Sequence, residues 1–320
     1  MPAPPTVFDR RTPDFDSRAI LDCLAGRGFV VLRNMFPAAS LDHTVKAAAE
    51  FARAPAIAGV PGYSKVDHPK KLFNPLLLGG KVIDILLNEE VIALIESYMD
   101  SECILVETNV KIDEAVDYTY FPLHADFSVG WRKSAKSAFS LTAEQLDEPV
   151  GVGGAVYLHD TTEGAFCYCE GSHKLKAPRG PNLDDYPTDE RQEIASRRVR
   201  VDGRRGDLVL FDDRGFHGPD QPSRARRTVI LLDYYRVKTF GRVQVSPMPV
   251  WSSDIGRLSP TQLRVLGAGA DYMVSPMDYT GTRFKNNPLY PLVARIIENA
   301  YLWQHFKQRL KARIRTSRRG

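Results

Sequence analysis

Apolar residues along this chain follow two rhythms. Helical spacing comes first. Asp16 to Ala25 reads as a short helix ended by Gly26–Gly28, and Leu41, Val45, Ala48 and Ala52 place another over Leu41–Arg53 with Ser40 as its cap. Val82 to Met99 reads as one amphipathic helix. Strand-like runs then take over. Gly28–Arg33 reads as a buried strand, Ile104–Lys111 and Tyr118–Phe121 as strands, and Gly154 to Tyr235 as short strands spaced like an antiparallel sandwich or barrel. Between them lie a loose Pro-rich lead (1–14), a loop (Ala54–Asn74) and a polar insert (Pro178–Arg200) with a helix from Thr188. Arg236 to Asn287 has few periodic signals and is expected to make excursions over the mouth of the barrel. Helical spacing returns at the end, in Leu292, Ile296, Ala300, Trp303, Phe306, Leu310 and Ile314. The expectation is one mainly β domain with flanking helices over 1–287, followed by a basic amphipathic helix and tail over 288–320.

Composition narrows the class. At 320 residues, 43% hydrophobic and 26% charged, the chain can bury a large core and looks like an ordinary globular protein. No apolar run approaches the roughly 18 residues that span a bilayer, and the first residues lack the pattern of a secretory signal. Four cysteines do not make a disulfide framework. Cys167 and Cys169 would share a strand face and could bind a metal, but small core residues in a reduced protein are the simpler reading. A cytoplasmic enzyme is expected. The net charge of +4 is uneven: Pro288–Gly320 carries eight Lys/Arg against Glu298, a local +7 that leaves the rest at −3. Nucleic-acid binding is therefore unsupported for the body. The tail, with Trp303 and Phe306 on one face and basic residues on the other, suits either a membrane interface or packing on the body or a second subunit.

The candidate chemistry centres on His124 and Asp126, joined 93 positions later by His217 beyond the strand-like run Asp207–Phe211. In an extended segment, residues two apart project to one face and can reach one metal. Two imidazoles and one carboxylate with open positions form the facial pattern of non-haem Fe(II) oxygenases. The same donors suit zinc, so metal-assisted hydrolysis is a rival, as is a non-catalytic binding module. His173, in a Gly-Ser-His-Lys turn, is the rival distal ligand. His43, His68, His159 and His305 lack a carboxylate at strand spacing. Asp212, Asp213 and Asp220 read as loop or turn residues.

Five stretches surround these residues in order: Gly28–Arg33, Gly154–His159, Glu163–Phe166 with Glu170–Lys174, Gly206–Phe211 leading to His217-Gly218, and Arg226–Tyr234. The arrangement over residues 18–240 resembles the phytanoyl-CoA dioxygenase family of Fe(II)/2-oxoglutarate oxygenases. The resemblance implies a double-stranded β-helix (jelly-roll) core, 2-oxoglutarate and O₂ as co-substrates, and hydroxylation of an unactivated C–H bond. It carries the iron ligands onto His124, Asp126 and His217. It carries the arginine that holds the co-substrate's distal carboxylate onto Arg227, with Arg226 as the rival if the strand slips by one. A hydroxyl from Thr108, Tyr118 or Tyr157 would complete that site. The chain departs from the family pattern at Glu170, where Pro is usual, and at Leu123, where Gln is common. Halogenation is disfavoured because Asp126 is present. The substrate is expected to be a small molecule or, if the tail meets a membrane, a lipid-linked one.

Overall fold

Phe29–Leu32 and Leu208–Phe211 are apolar at every position, so each strand needs cover on both faces. The computed structural model describes residues 6–53, 63–64, 70–73, 75–119, 121–132, 139–175, 180–242, 248–267 and 275–277, and it meets that need with a helical layer, a large sheet and a small sheet. In chain order the strands are β1 (Val7–Asp9), β2 (Phe29–Arg33), β3 (Tyr63–Ser64), β4 (Lys70–Phe73), β5 (Cys103–Asp113), β6 (Gly151–Tyr157), β7 (Thr161–Cys169), β8 (Arg198–Gly203), β9 (Leu208–Asp212), β10 (His217–Pro219) and β11 (Arg227–Arg236). The large sheet runs β1-β2-β9-β6-β11-β5-β4-β3, and the small sheet runs β10-β7-β8. Neighbours are antiparallel except β1 and β2. This is the open jelly-roll architecture expected from the sequence.

Side-chain alternation separates the layers. Phe29, Val31, Tyr157, Val209, Phe211 and Val229 face Phe166, Tyr168 and Val201 of the small sheet. Their neighbours Val30, Leu32, Val156, Leu208, Leu210 and Ile230 join the core under the helices. Those helices are α1 (Ser17–Arg27), α2 (Ala38–Arg53), α3 (Gly80–Leu86) and α4 (Glu89–Met99). The Asp16 side chain caps α1 by accepting from Ala19 N at 2.8 Å. Gly28 ends α1 at φ +91°, and a Cβ there would come within 2.5 Å of the Tyr168 hydroxyl. Only glycine serves both demands.

Several expectations need correction. Val82–Met99 is two helices, because Asn88 restarts the chain by accepting from Val91 N at 3.1 Å. Ser40 is not a cap. Helix α2 begins at Ala38, and the Ser40 hydroxyl instead donates to Asp84 Oδ2 at 2.6 Å, tying α2 to α3. The lead and the loop contribute β1, β3 and β4, which lengthen the large sheet at both edges. Tyr118–Phe121 is not a strand; Tyr118 and Phe121 are exposed. The expected helix at Thr188 is α5 (Thr188–Ser196). Beyond β11, α6 (Val237–Phe240) sets Phe240 against Phe127, Trp131 and Tyr235. Residues 248–266, expected over the mouth, instead join the helical layer: Val250, Val265 and Leu266 are buried there, and Arg264 pairs with Glu96 at 2.6 Å. The boundary at Pro288, the C-terminal helix, His68 and His305 lie outside the described residues.

Candidate metal centre and co-substrate cavity

His124 and His217 face each other across a two-residue backbone bridge. His124 N donates to His217 O at 3.0 Å, and His217 N donates to His124 O at 2.9 Å. Directly opposed residues of an antiparallel pair project to the same face, so the bridge alone brings the two imidazoles together. Asp126, two residues on, shares that face, and its N donates to Asp213 O at 3.0 Å. His124 Nε2 lies 3.3 Å from Asp126 Oδ1, and His217 Nε2 lies 3.5 Å from Oδ2. Ligands about 2.1 Å from one metal at right angles stand roughly 3 Å apart, so this set fits a single ion.

Each ring is tethered through its other nitrogen. His124 Nδ1 donates to Pro122 O at 3.1 Å and His217 Nδ1 to Gly215 O at 2.9 Å, which leaves both Nε2 lone pairs for a metal. Gly215 matters for a second reason: a Cβ there would fall 1.9 Å from the Tyr168 hydroxyl, which donates to Asp212 O at 2.9 Å. The His217 ring is wedged against Phe211, with centroids 4.5 Å apart, and stacks with Phe166 and Tyr168. Burial pushes the Asp126 carboxyl up, but His217 and then His124 hold it below the ordinary carboxylate range.

The triad opens into a cavity of about 530 Å³. Its polar lining comes from strand parity: β5 presents Glu107, Asn109 and Lys111, while β11 presents Arg227, Leu231 and Asp233. Arg227 is buried, and its Nε donates to Asp113 Oδ2 at 3.0 Å; its Nη2 donates to the same oxygen. Arg226 is exposed on the opposite face, 3.7 Å from Glu114. The register therefore puts Arg227, not its rival, in the cavity wall. Lys111 Nζ stands 3.5 Å from Asp113 Oδ1 and 5.1 Å from the Phe121 ring centre, and burial pulls its pKa down to about 8.

The expected hydroxyls do not line the cavity. Thr108 has the wrong parity on β5, and its hydroxyl donates to Leu231 O at 2.8 Å. Tyr157 donates to Val201 O at 2.7 Å and accepts from Phe166 N at 2.8 Å, so its hydroxyl is committed to joining the two sheets. Tyr118 is exposed. His173 is buried away from the triad, with Nε2 3.1 Å from Ala25 O. His159 Nε2 accepts from Thr228 N at 2.8 Å and His43 Nε2 donates to Leu78 O at 3.0 Å, both structural contacts. Cys167 and Cys169 are buried thiols, and neither belongs to a metal-ligating group among the described residues.

Asp212 is the last residue of β9, not a loop residue, whereas Asp213 does lie in the turn that follows, and both are buried. Asp212 pairs with Arg214 at 2.6 Å and accepts from Tyr98 Oη at 2.7 Å. Asp220 keeps its turn and pairs with Arg198. Asp213 is different: its carboxylate stands with those of Asp126 and Asp233 within 4.8 Å. Burial, and then the charge of Asp126, pushes the Asp213 and Asp233 carboxyls well above the ordinary value. Lys111, Glu107 and Asp233 line the cavity without having been candidates from the sequence. The readable signal was the polar alternation Glu107-Asn109-Lys111-Asp113 in an otherwise apolar strand.

With the geometry in place, comparison with known proteins is decisive about family. The phytanoyl-CoA dioxygenase (PhyH) family matches residues 25–228. The chain belongs to the phytanoyl-CoA dioxygenase family. It is accordingly an Fe(II)/2-oxoglutarate-dependent dioxygenase that uses O₂, and the zinc-hydrolase and non-catalytic readings are set aside. No curated protein matches the sequence. Among solved structures, EctD from S. alaskensis with bound Fe is similar at 19% identity and a TM-score of 0.55, covering 85% of this chain and 92% of that one. The same protein with 2-oxoglutarate and 5-hydroxyectoine gives 18% identity, a TM-score of 0.55 and the same coverage. EvdMO1 gives 17% identity and a TM-score of 0.50, over 69% of this chain and 50% of that one. These likenesses concern the fold. Among the described residues no helix is long and apolar enough to cross a membrane.

Proposed function

We propose that this dioxygenase hydroxylates an unactivated C–H bond of a small-molecule substrate, with iron held by His124, Asp126 and His217 and 2-oxoglutarate anchored by Arg227. The balance is substrate C–H, O₂ and 2-oxoglutarate giving substrate C–OH, succinate and CO₂. The observation that carries the reading is one cavity walled by both the triad and a buried, oriented guanidinium. When bound, iron and 2-oxoglutarate supply the activation of O₂ that no side chain can perform.

The protein's share is positioning. His124 and His217 offer fixed Nε2 atoms, and Asp126 offers a carboxylate oriented from its backbone by Asp213. Arg227 spends Nε and Nη2 on Asp113, and Nη1 has no partner among the described residues, so it can donate to the distal carboxylate of the co-substrate. Lys111 adds a second cation at that end. Phe166, Phe211 and Leu231 keep water from the space between. That one similar structure holds a hydroxylated small molecule with 2-oxoglutarate supports the reaction type. A lipid-linked substrate is the second reading, favoured by the +7 tail with Trp303 and Phe306.

The test measures succinate formed by iron-loaded protein. His124→Ala, Asp126→Ala and His217→Ala should each lose iron and turnover, while His173→Ala keeps iron stoichiometry. Iron retained in the His217 variant and lost in the His173 variant would overturn the assignment.

A further inference from the structure

The cavity is charged oppositely at its two ends, and this bears on the substrate. We propose that its acidic end, formed by Asp233 and Glu107 and backed by Asp213, binds a protonated amine or guanidinium group of the substrate. The proposal deepens the functional reading above and rests on it.

Asp233 and Glu107 stand directly opposite each other in the β11–β5 register, and both line the cavity. Like charges in that position destabilise a sheet. They are offset only in part: Asn109 Nδ2 donates to Glu107 at 3.4 Å, and Lys71, a cation in the same wall, acts on Asp233 through its charge. The feature is a structural cost with a use only if something cationic enters.

Asp213 supplies an independent observation. It is 1% exposed, and neither carboxylate oxygen has a hydrogen-bond partner. It points into the cluster, its carboxylate within 4.8 Å of those of Asp126 and Asp233. Buried carboxylates without partners are costly. With Asp126 assigned to iron, Asp213 and Asp233 would remain without a ligand of their own.

The opposite end excludes the alternative polarity. Arg227 lies six positions before Asp233 on one strand, about 20 Å away at strand rise. That end suits the dianionic co-substrate; Lys71, the cation in the wall besides Arg227 and Lys111, acts on Asp233, so a second anion near it would also meet that acid and Glu107. A cation entering here would meet carboxyl oxygens as hydrogen-bond acceptors, so the matching group is donor-rich, an ammonium or guanidinium rather than a quaternary ammonium.

The experiment is calorimetric titration of the anaerobic Fe(II)·2-oxoglutarate protein with cyclohexylamine, N-acetylcyclohexylamine and cyclohexanecarboxylate. Wild type should bind the amine about tenfold or more tighter than the acetamide, and that preference should vanish in Asp233→Asn/Glu107→Gln. If the double variant melts early, Glu107→Gln alone should still reduce the preference. Equal binding of amine and acetamide, or preference for the carboxylate, overturns the proposal. So does a second iron per chain that is lost in Asp213→Asn, since the cluster would then be a metal site. Failure of wild type to bind 2-oxoglutarate, measured first, sinks the co-substrate reading instead; the amine preference is still read on the iron-loaded protein.

Discussion

Replacing Arg227 by alanine should do two separable things. Its guanidinium and Asp113 are buried together, with side chains 5% and 8% exposed. Losing a charge-assisted hydrogen bond to the distal carboxylate of 2-oxoglutarate costs about 1.5–3 kcal/mol, roughly a 10- to 150-fold rise in Kd. Breaking a buried ion pair also leaves the surviving charge uncompensated, typically about 3–5 kcal/mol. Lys111, 3.5 Å from the other Asp113 oxygen, holds the loss near the lower figure. At about 2–4 °C per kcal/mol, Tm should fall by about 6–12 °C. The double variant Arg227→Ala/Asp113→Ala removes the stranded carboxylate but also takes a partner from Lys111, so it should regain part of the Tm and none of the affinity. Calorimetry with 2-oxoglutarate and a melting curve on the three proteins separate the effects. Unchanged affinity in the single variant, or affinity restored in the double variant, would refute the binding role and leave Arg227 as the partner of Asp113 alone.

Three further outcomes follow from the same geometry. Because burial holds the Lys111 pKa at about 8, its charge is present below that pH and lost above it. The Kd for 2-oxoglutarate should therefore be flat below about pH 7 and climb by up to tenfold per unit above 8, and Lys111→Met should remove that dependence; the same climb in the variant counts against Lys111. Tyr157→Phe strands Val201 O and Phe166 N and should cost about 1–3 kcal/mol in urea unfolding with KM for 2-oxoglutarate unchanged; a raised KM at wild-type stability would return Tyr157 to the co-substrate site. Truncation before Pro288 should release the protein from anionic vesicles, since each basic residue near such a surface contributes about 1 kcal/mol, and indifference of the full chain to such vesicles at low salt would assign the tail to packing.

How much of this was legible depended on whether the deciding information was local. His124 and Asp126 announce themselves because strand parity is written into their spacing. His217 follows from its place after a buried strand. Arg227 over Arg226 needed the register, which pairs Arg227 with Asp113 and Thr228 with Ile112. Thr108 was misassigned by one residue of parity, although Glu107, Asn109 and Lys111 alternate in plain view. The break at Asn88 was also readable, as a capping residue before two glutamates, but the apolar spacing of Val82–Met99 runs straight through it. Asp213 was not readable at all. Its neighbour Asp212 finds Arg214 and it does not, and that difference exists only in three dimensions.

On the proposed ligand assignment, the bridge between His124 and His217 also ties metal capture to folding. A nascent segment holding His124 and Asp126 offers two donors; the third arrives only after a closure spanning 93 positions, a slow, long-range event. Iron should therefore load late, onto an already paired small sheet, and then act as a clamp on that pairing. Free metal at a hundred times its Kd would add about 2.7 kcal/mol to the folded state. Iron scarcity would then lower the resistance of the protein to unfolding and proteolysis as well as its turnover.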